Sequence, residues 1–207
     1  MILCNYRLHS YLIGGQLLVT ILINLLGSPS AGKSTAAGKL FSRLKDMYLN
    51  VEFVPEYVKS WAWDNREIKP YDQFYFFGKE AHNQSHLFNK VDFIISDSPV
   101  LLTAFYHMYY NKDNALREIC KDFYEMAARL DNVRVVNFFL PRKKKYIKHG
   151  RYQTEEQADE VANLLKKFLE VECYDFVEVN CPDEERIDFM VNILKDMTNN
   201  FEGLADS

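Results

Sequence analysis

Nine consecutive residues, Gly27-Ser-Pro-Ser-Ala-Gly-Lys-Ser-Thr35, constrain this chain more than any other feature in it. They satisfy G-x-x-x-x-G-K-[ST] at every fixed position. Immediately upstream, Val19-Thr-Ile-Leu-Ile-Asn-Leu-Leu26 is a nearly continuous apolar run, the pattern of a parallel strand buried on both faces. Downstream, helical spacing begins at Gly32 or Lys33 and runs to about residue 49. Between strand and helix, Gly27 and Gly32 let the backbone curl so that successive N–H groups face an anion, and the positive end of the helix dipole adds to that field. Gly27, Ser28, Pro29, Ser30, Ala31 and Gly32 are therefore expected to cradle nucleotide phosphates. Lys33 should reach the β- and γ-phosphates, the Ser34 hydroxyl should ligate a Mg²⁺ ion held between them, and Thr35 should meet the α-phosphate. The expected ligand is ATP or GTP.

The remainder of the chain alternates strand-like and helix-like patterns. Short apolar, β-branched runs at 51–54, 92–96, 133–140 and 175–180 read as further strands, and 57–89, 101–110, 114–130, 155–170 and 184–198 read as helical. Thr154 is an expected N-cap for the fourth of these helical segments. Five strands separated by helices imply a doubly wound α/β fold, a five-stranded parallel sheet joined by right-handed crossovers. A length of 207 residues, 48% of them hydrophobic, favours one core. One domain is expected over 19–200, with a lid near 141–153 and a flexible tail at 201–207. Residues 1–18 contribute nothing the fold needs and are expected to be an upstream extension, with the native start at or near Val19.

Composition narrows the partners. A net charge of −4 gives no global attraction to nucleic acid or anionic lipid, so such a partner would need the local basic stretch at 142–151. Gly14, Gly15, Gln16 and Asn24 interrupt the apolar stretch 11–26, which argues against a membrane or signal segment. Cys4, Cys120, Cys173 and Cys181 form no CxxC pair and read as reduced thiols of a cytoplasmic protein.

Two carboxylates fall where topology gives them a role. Asp97 ends an apolar strand, where an acid can hold the Mg²⁺ shell, although a strand-end Asp capping a turn would read the same way. The next residue is Ser98 rather than a second acid, which points away from a motor ATPase. Glu56 follows the second strand and should lie at the carboxyl edge of the sheet beside the phosphate loop, placed to accept a proton from an acceptor hydroxyl.

The segments GSPSAGKST, VPEYVKSW and IISDSPVLLTAFYH together resemble the P-loop small-molecule kinases related to ribosylnicotinamide kinase, a group with many phage and bacterial members. The resemblance spans most of 19–181. It implies that Lys33 and Ser34 hold phosphate and metal, that Asp97 serves metal or acceptor, and that Glu56 lies at the acceptor. The adenylyltransferase domain fused to some relatives has no counterpart in this sequence.

After the fourth strand, Leu140-Pro-Arg-Lys-Lys-Lys-Tyr-Ile-Lys-His-Gly-Arg151 is a basic segment suited to a lid that brings a guanidinium to the transferring phosphoryl group. Arg142 and Arg151 are the leading lid residues, with a solvated basic loop or a nucleic-acid contact as alternatives. In the aromatic concentration between 61 and 77, Phe74 and Phe77 read as core, and Tyr57, Trp61 and Tyr71 remain candidates for stacking on an acceptor ring. The sequence thus points to a kinase passing the γ-phosphoryl of ATP to a small nucleoside, nucleotide or ribosylnicotinamide-like acceptor. The alternatives are an NTPase switch without a small acceptor and a kinase of hydroxymethylated bases in phage DNA.

Overall fold

A computed structural model describes residues 12–13, 16–17, 19–143, 146, 152 and 154–205. Within the stretch expected to be an extension, β1 (Leu12–Ile13) and β2 (Gln16–Leu17) form a minimal antiparallel ladder. The main sheet starts with β3 (Thr20–Leu26), followed by α1 (Lys33–Asp46), β4 (Val51–Val54), α2 (Val58–Trp63) and α3 (Asp72–Ser85). Then come β5 (Phe93–Ser96), α4 (Val100–Asn111), α5 (Ala115–Asp131), β6 (Val133–Phe139), α6 (Glu155–Val171), β7 (Val177–Glu178) and α7 (Arg186–Ala205). The five strands of this sheet are all parallel and lie in the order β4-β5-β3-β6-β7. It is the doubly wound α/β arrangement expected from the alternation.

Period-two side-chain alternation in β3 feeds a separate core on each face of the sheet. Ile21, Ile23 and Leu25 pack with Ala37, Leu40 and Leu44 of α1 and with Met190 and Leu194 of α7. Leu22 and Leu26 pack with Leu101 and Phe105 of α4, Cys120 of α5 and Leu165 and Phe168 of α6. Asn24, which interrupts the apolar run, is fully buried: its Nδ2 donates to Tyr124 Oη (3.1 Å) and to Asn137 Oδ1 (2.9 Å). A polar residue in a central strand is tolerated because those neighbours accept its hydrogens.

The largest difference from the expected layout is between β4 and β5. One long helical stretch was expected over 57–89, whereas two helices form. Asn65 adopts a left-handed conformation (φ 52°) just after α2, and Pro70 precedes α3, so the chain between them cannot stay helical. Phe77 is buried as expected, but Phe74 is 43% exposed, its ring edge-on to His107 at 5.1 Å, so its reading as core is corrected. Phe74 follows Gln73 by one residue and so turns about 100° away from the buried stripe of Gln73, Phe76, Phe77, Glu80 and Gln84. At the other end of the molecule, Thr154 caps α6 by accepting from the Gln157 N–H, and Gln157 returns the bond to the Thr154 N–H, a complete capping box. The helical backbone of α7 continues to Ala205, past the point where a tail was expected to begin.

In this order, β4, β5 and β3 are neighbours and run in the same direction, with Val54 opposite Ser96 and Ser96 opposite Asn24. The residues that follow these strands, Glu56, Asp97 and Gly27, therefore emerge at one edge of the sheet.

Candidate functional site

The phosphate loop leaves β3 at Gly27, where φ is +148° and an added Cβ would stand 2.6 Å from the Leu140 carbonyl oxygen. Leu140 is held there because its N–H donates to Leu26 O (2.8 Å), so β6 crowds the turn and only glycine fits. The turn then tightens through an Ala31 N–H bond to Ser28 O (3.1 Å), with Ser30 in a left-handed conformation (φ 64°). Gly32 is the N-cap of α1 at φ 90° and supplies no side-chain cap, and the first turn of α1 contains no acid. The N–H groups of that turn have no intrahelical partner by helix geometry, and the dipole favours an anion before them. The ammonium of Lys33 folds back to donate to Gly27 O (3.0 Å) and Ser28 O (3.4 Å), which keeps it over the loop. Ser34 and Thr35 are exposed at the start of the helix.

A cleft opens on one side of this loop. Its walls include Pro29 and Lys33 from the loop, Glu56, Val58 and Ala62 from the β4–α2 segment, and Gln73, Phe76 and Glu80 from α3. Ser98, Thr103, Tyr106 and Tyr110 close the far side, and Tyr152 reaches in from the segment after β6; the space is about 760 Å³ counted to the open mouth. Lys33 and Glu56 thus share one cavity, as expected from their places after β3 and β4. Asp97 lies just below it, 2% exposed, with its N–H donating to Val54 O (3.2 Å). Its Oδ1 has no hydrogen-bond partner among the described residues. A buried carboxylate oxygen lacking a donor is costly, and a hard cation would satisfy it; Asp97 and the exposed Ser34 hydroxyl are both oxygen donors of the kind Mg²⁺ takes.

Glu80 was not anticipated. It is 2% exposed, its Oε1 accepts the Tyr57 N–H (3.0 Å), and its Oε2 has no hydrogen-bond partner among the described residues. Burial, reinforced by the Glu56 and Asp97 carboxylates, pushes its carboxyl up to about 7 against the downward pull of the Tyr57 N–H. The buried residues of α3 are Gln73, Phe76, Phe77, Glu80 and Gln84, a single 3.6-period stripe. Polar residues in register with phenylalanines along that stripe were the sequence signal for Gln73 and Glu80.

The aromatic candidates are distributed differently from expectation. Tyr71 is 83% exposed at the start of α3, away from the cleft walls. Tyr57 and Trp61 form a layer behind the wall. The Tyr57 hydroxyl shares a hydrogen bond with Tyr75 Oη (2.8 Å), and the Trp61 ring stands edge-on to Phe76 at 4.9 Å. Phe76, Tyr106, Tyr110 and Tyr152 supply the aromatic surface facing the cavity.

Of the lid arginines, Arg151 lies outside the described residues. Arg142 is held by two carboxylates of α6, Glu155 (2.9 Å) and Asp159, and it is not among the residues lining the cleft. Lys143 Nζ donates to Cys181 O (2.8 Å), and the Tyr152 hydroxyl donates to Arg66 O (2.8 Å), tying two points of the 141–153 segment to opposite sides of the site. No helix among the described residues is long and apolar enough to cross a membrane.

A family model described as an AAA domain (AAA_28) matches residues 22–186, which include the loop, both strand-end carboxylates and the cleft. No curated protein matches the sequence. Among solved structures, the chain is similar to deoxyadenosine kinase from M. mycoides with the products dCMP and dCDP bound (TM-score 0.56, 17% identity, covering 84% of this chain and 99% of that one). It is also similar to NadR protein in complex with NR (TM-score 0.64, 18% identity, covering 86% of this chain and 51% of that one). A further NadR structure, with NAD and AMP-PNP, gives a TM-score of 0.63 at 19% identity, over 87% of this chain and 50% of that one. The chain therefore spans about half the length of NadR. At these identities the likeness is one of fold, that of the P-loop kinases.

Proposed function

The chain belongs to the AAA domain family matched over residues 22–186, and from that premise we propose that it is a kinase using ATP and Mg²⁺. It moves the γ-phosphoryl group to a nucleoside, nucleotide or ribosylnicotinamide-like acceptor. The observation that carries this reading is that the phosphate-loop lysine and two carboxyl groups, Glu56 and Glu80, line one cleft with an aromatic wall. A site that only hydrolysed nucleotide would have no need of such a pocket beside the phosphates. Nucleotide and nucleoside ligands in the solved structures of similar fold support the same reading.

In this site a hydroxyl acceptor lies in the cleft with its oxygen toward Lys33 and Glu56. That oxygen forms a bond to the γ-phosphorus as the bond to the β,γ-bridging oxygen breaks, and ADP leaves. The hydroxyl proton passes to the Glu56 carboxylate. Lys33 and the N–H groups of the loop meet charge on the phosphate oxygens, so positioning and electrostatics do most of the work. Ser34 and Asp97 would hold Mg²⁺, which would supply further neutralisation of phosphate charge. Tyr152, at the mouth of the cleft, limits water there.

The test is ATP consumption with Mg²⁺ across a panel of nucleosides, nucleoside monophosphates, ribosylnicotinamide and hydroxymethylated DNA, with Lys33→Ala as control. Turnover dependent on one acceptor, falling by about 10³-fold or more in the variant, is expected. Steady hydrolysis independent of every acceptor would replace this reading with that of an NTPase switch.

A further inference from the structure

Arg186, the first residue of α7, takes no part in the cleft and nothing in the sequence marks it, yet it is 5% exposed and reaches into the back of the phosphate loop. Its Nη1 donates to Ala31 O (3.3 Å), its Nη2 donates to Pro141 O (3.0 Å), and its Nε stands 3.1 Å from Asp183 Oδ1. An added Cβ on Gly32 would lie 3.6 Å from Nη1, so the guanidinium packs directly on the turn. A buried cation is expensive unless it is paired, and here two carbonyls from separate segments accept hydrogen bonds from the guanidinium while the Asp183 carboxylate stands against its charge.

We infer that Arg186 is a positioning residue for nucleotide binding: it holds the Ala31 carbonyl from behind, fixing the Ala31–Gly32 peptide in its phosphate-binding orientation. The reason is peptide geometry. In a planar trans peptide the carbonyl of one residue and the N–H of the next point in opposite directions. Drawing Ala31 O toward Arg186 turns the Gly32 N–H away from the guanidinium, to the anion-binding side that a loop of this pattern uses. Without that bond the Ala31–Gly32 peptide, flanked on one side by the conformationally permissive Gly32, can rotate and present its oxygen, a repulsive group, to a phosphate. The same guanidinium holds Pro141 O, so the loop is fixed to the root of the 141–153 segment. Its positive charge, offset among the described residues by Asp183, also lies beside the loop where it strengthens the attraction for phosphates. Lysine cannot replace it, because one ammonium does not span Ala31 O and Pro141 O with the planar fork that arginine provides.

This inference rests on the phosphate loop binding nucleotide, and the experiment separates the two. ADP affinity is measured by calorimetry, alongside thermal unfolding, for the wild type, Arg186→Ala, Arg186→Lys and Leu194→Ala. Leu194 is a buried core residue of α7 outside the loop, about two turns from Arg186, so its variant loosens the helix without removing the guanidinium. Arg186→Ala is expected to weaken ADP on the order of 10- to 100-fold, the loss of a charge-assisted hydrogen bond. Arg186→Lys is expected to keep the fold and still lose about fivefold or more, and guanidinium ion at a non-denaturing concentration should recover part of the Arg186→Ala loss. The inference is overturned if folded Arg186→Lys binds ADP as the wild type does, or if Leu194→Ala, at a comparable drop in Tm, weakens ADP as much as Arg186→Ala. A wild type that does not bind ADP overturns the nucleotide reading itself, and the inference with it.

Discussion

The two sides of the site are built by different means. On the proposed donor side, nine contiguous residues set a backbone path, with Gly32 as the N-cap of α1 and the Lys33 ammonium folded over the loop. On the acceptor side, side chains from β4–α2, α3, α4 and the segment after β6 converge on one cavity, and no two neighbouring elements are sufficient to define it. Backbone recognition depends on a few glycines and tolerates change elsewhere in the sequence. Side-chain recognition depends on how distant elements pack, so the acceptor can diverge while the loop persists.

The sharpest way to break this contrast is Glu56→Gln. If the acceptor side contributes chemistry and the donor side binding, phosphoryl transfer should fall by roughly 10²- to 10⁴-fold while ADP affinity stays unchanged. Equal loss of both, read by calorimetry and steady-state kinetics on one preparation, would mean that Glu56 serves the nucleotide instead.

Next in size is Gly27→Ala, which adds a Cβ against the Leu140 carbonyl at a φ that L-residues rarely adopt. A destabilisation of about 3 kcal/mol in urea unfolding is expected, because the obstacle is backbone and cannot rotate away. A change within about 0.5 kcal/mol would show that the turn yields, and that the donor side is less rigidly specified than its geometry indicates.

Glu80 offers a test by pH. Its folded-state carboxyl titrates near 7 against an ordinary value of 4.5, so between those limits the native protein keeps a proton that the unfolded chain has released. The stability that Glu80 contributes then falls as pH rises through that window, and the loss is complete above 7. Glu80→Gln removes the titration, so its stability relative to wild type should rise from pH 4.5 to pH 8 by up to about 3 kcal/mol. Unfolding curves at pH 5 and pH 8 with the same difference between the two proteins would contradict a buried, reluctantly ionised Glu80.

The smallest effect is expected at Tyr152, whose hydroxyl donates to Arg66 O across the mouth of the cleft. Tyr152→Phe should cost about 1 kcal/mol or less in stability and raise the KM of the acceptor more than that of ATP. A larger change in the ATP constant would move this segment from the acceptor side to the donor side.

The parts of this molecule that the sequence made legible are those whose determinants are local. The loop from Gly27 to Thr35, the apolar β3, the Thr154 cap and the strand-end positions of Glu56 and Asp97 each follow from a short run of residues, and the structure has them in the expected elements. The aromatic pocket was not legible in the same way. Tyr71 and Phe74 lie on helix faces whose outward direction was set by the break at 64–71, which divided one expected helix into two with independent orientations.

By itself, then, the sequence determined the alternating α/β pattern and the phosphate loop, because side-chain periodicity and turn and helix hydrogen bonding are set by neighbours in the chain. Only the tertiary structure decided that Glu80 is a buried acid of the cleft, that Arg186 stands behind Ala31, 155 positions away, and that Arg142 is held by α6. A polar side chain's burial, charge state and partners are set by whatever packs against it across the fold, and composition or spacing does not carry that information.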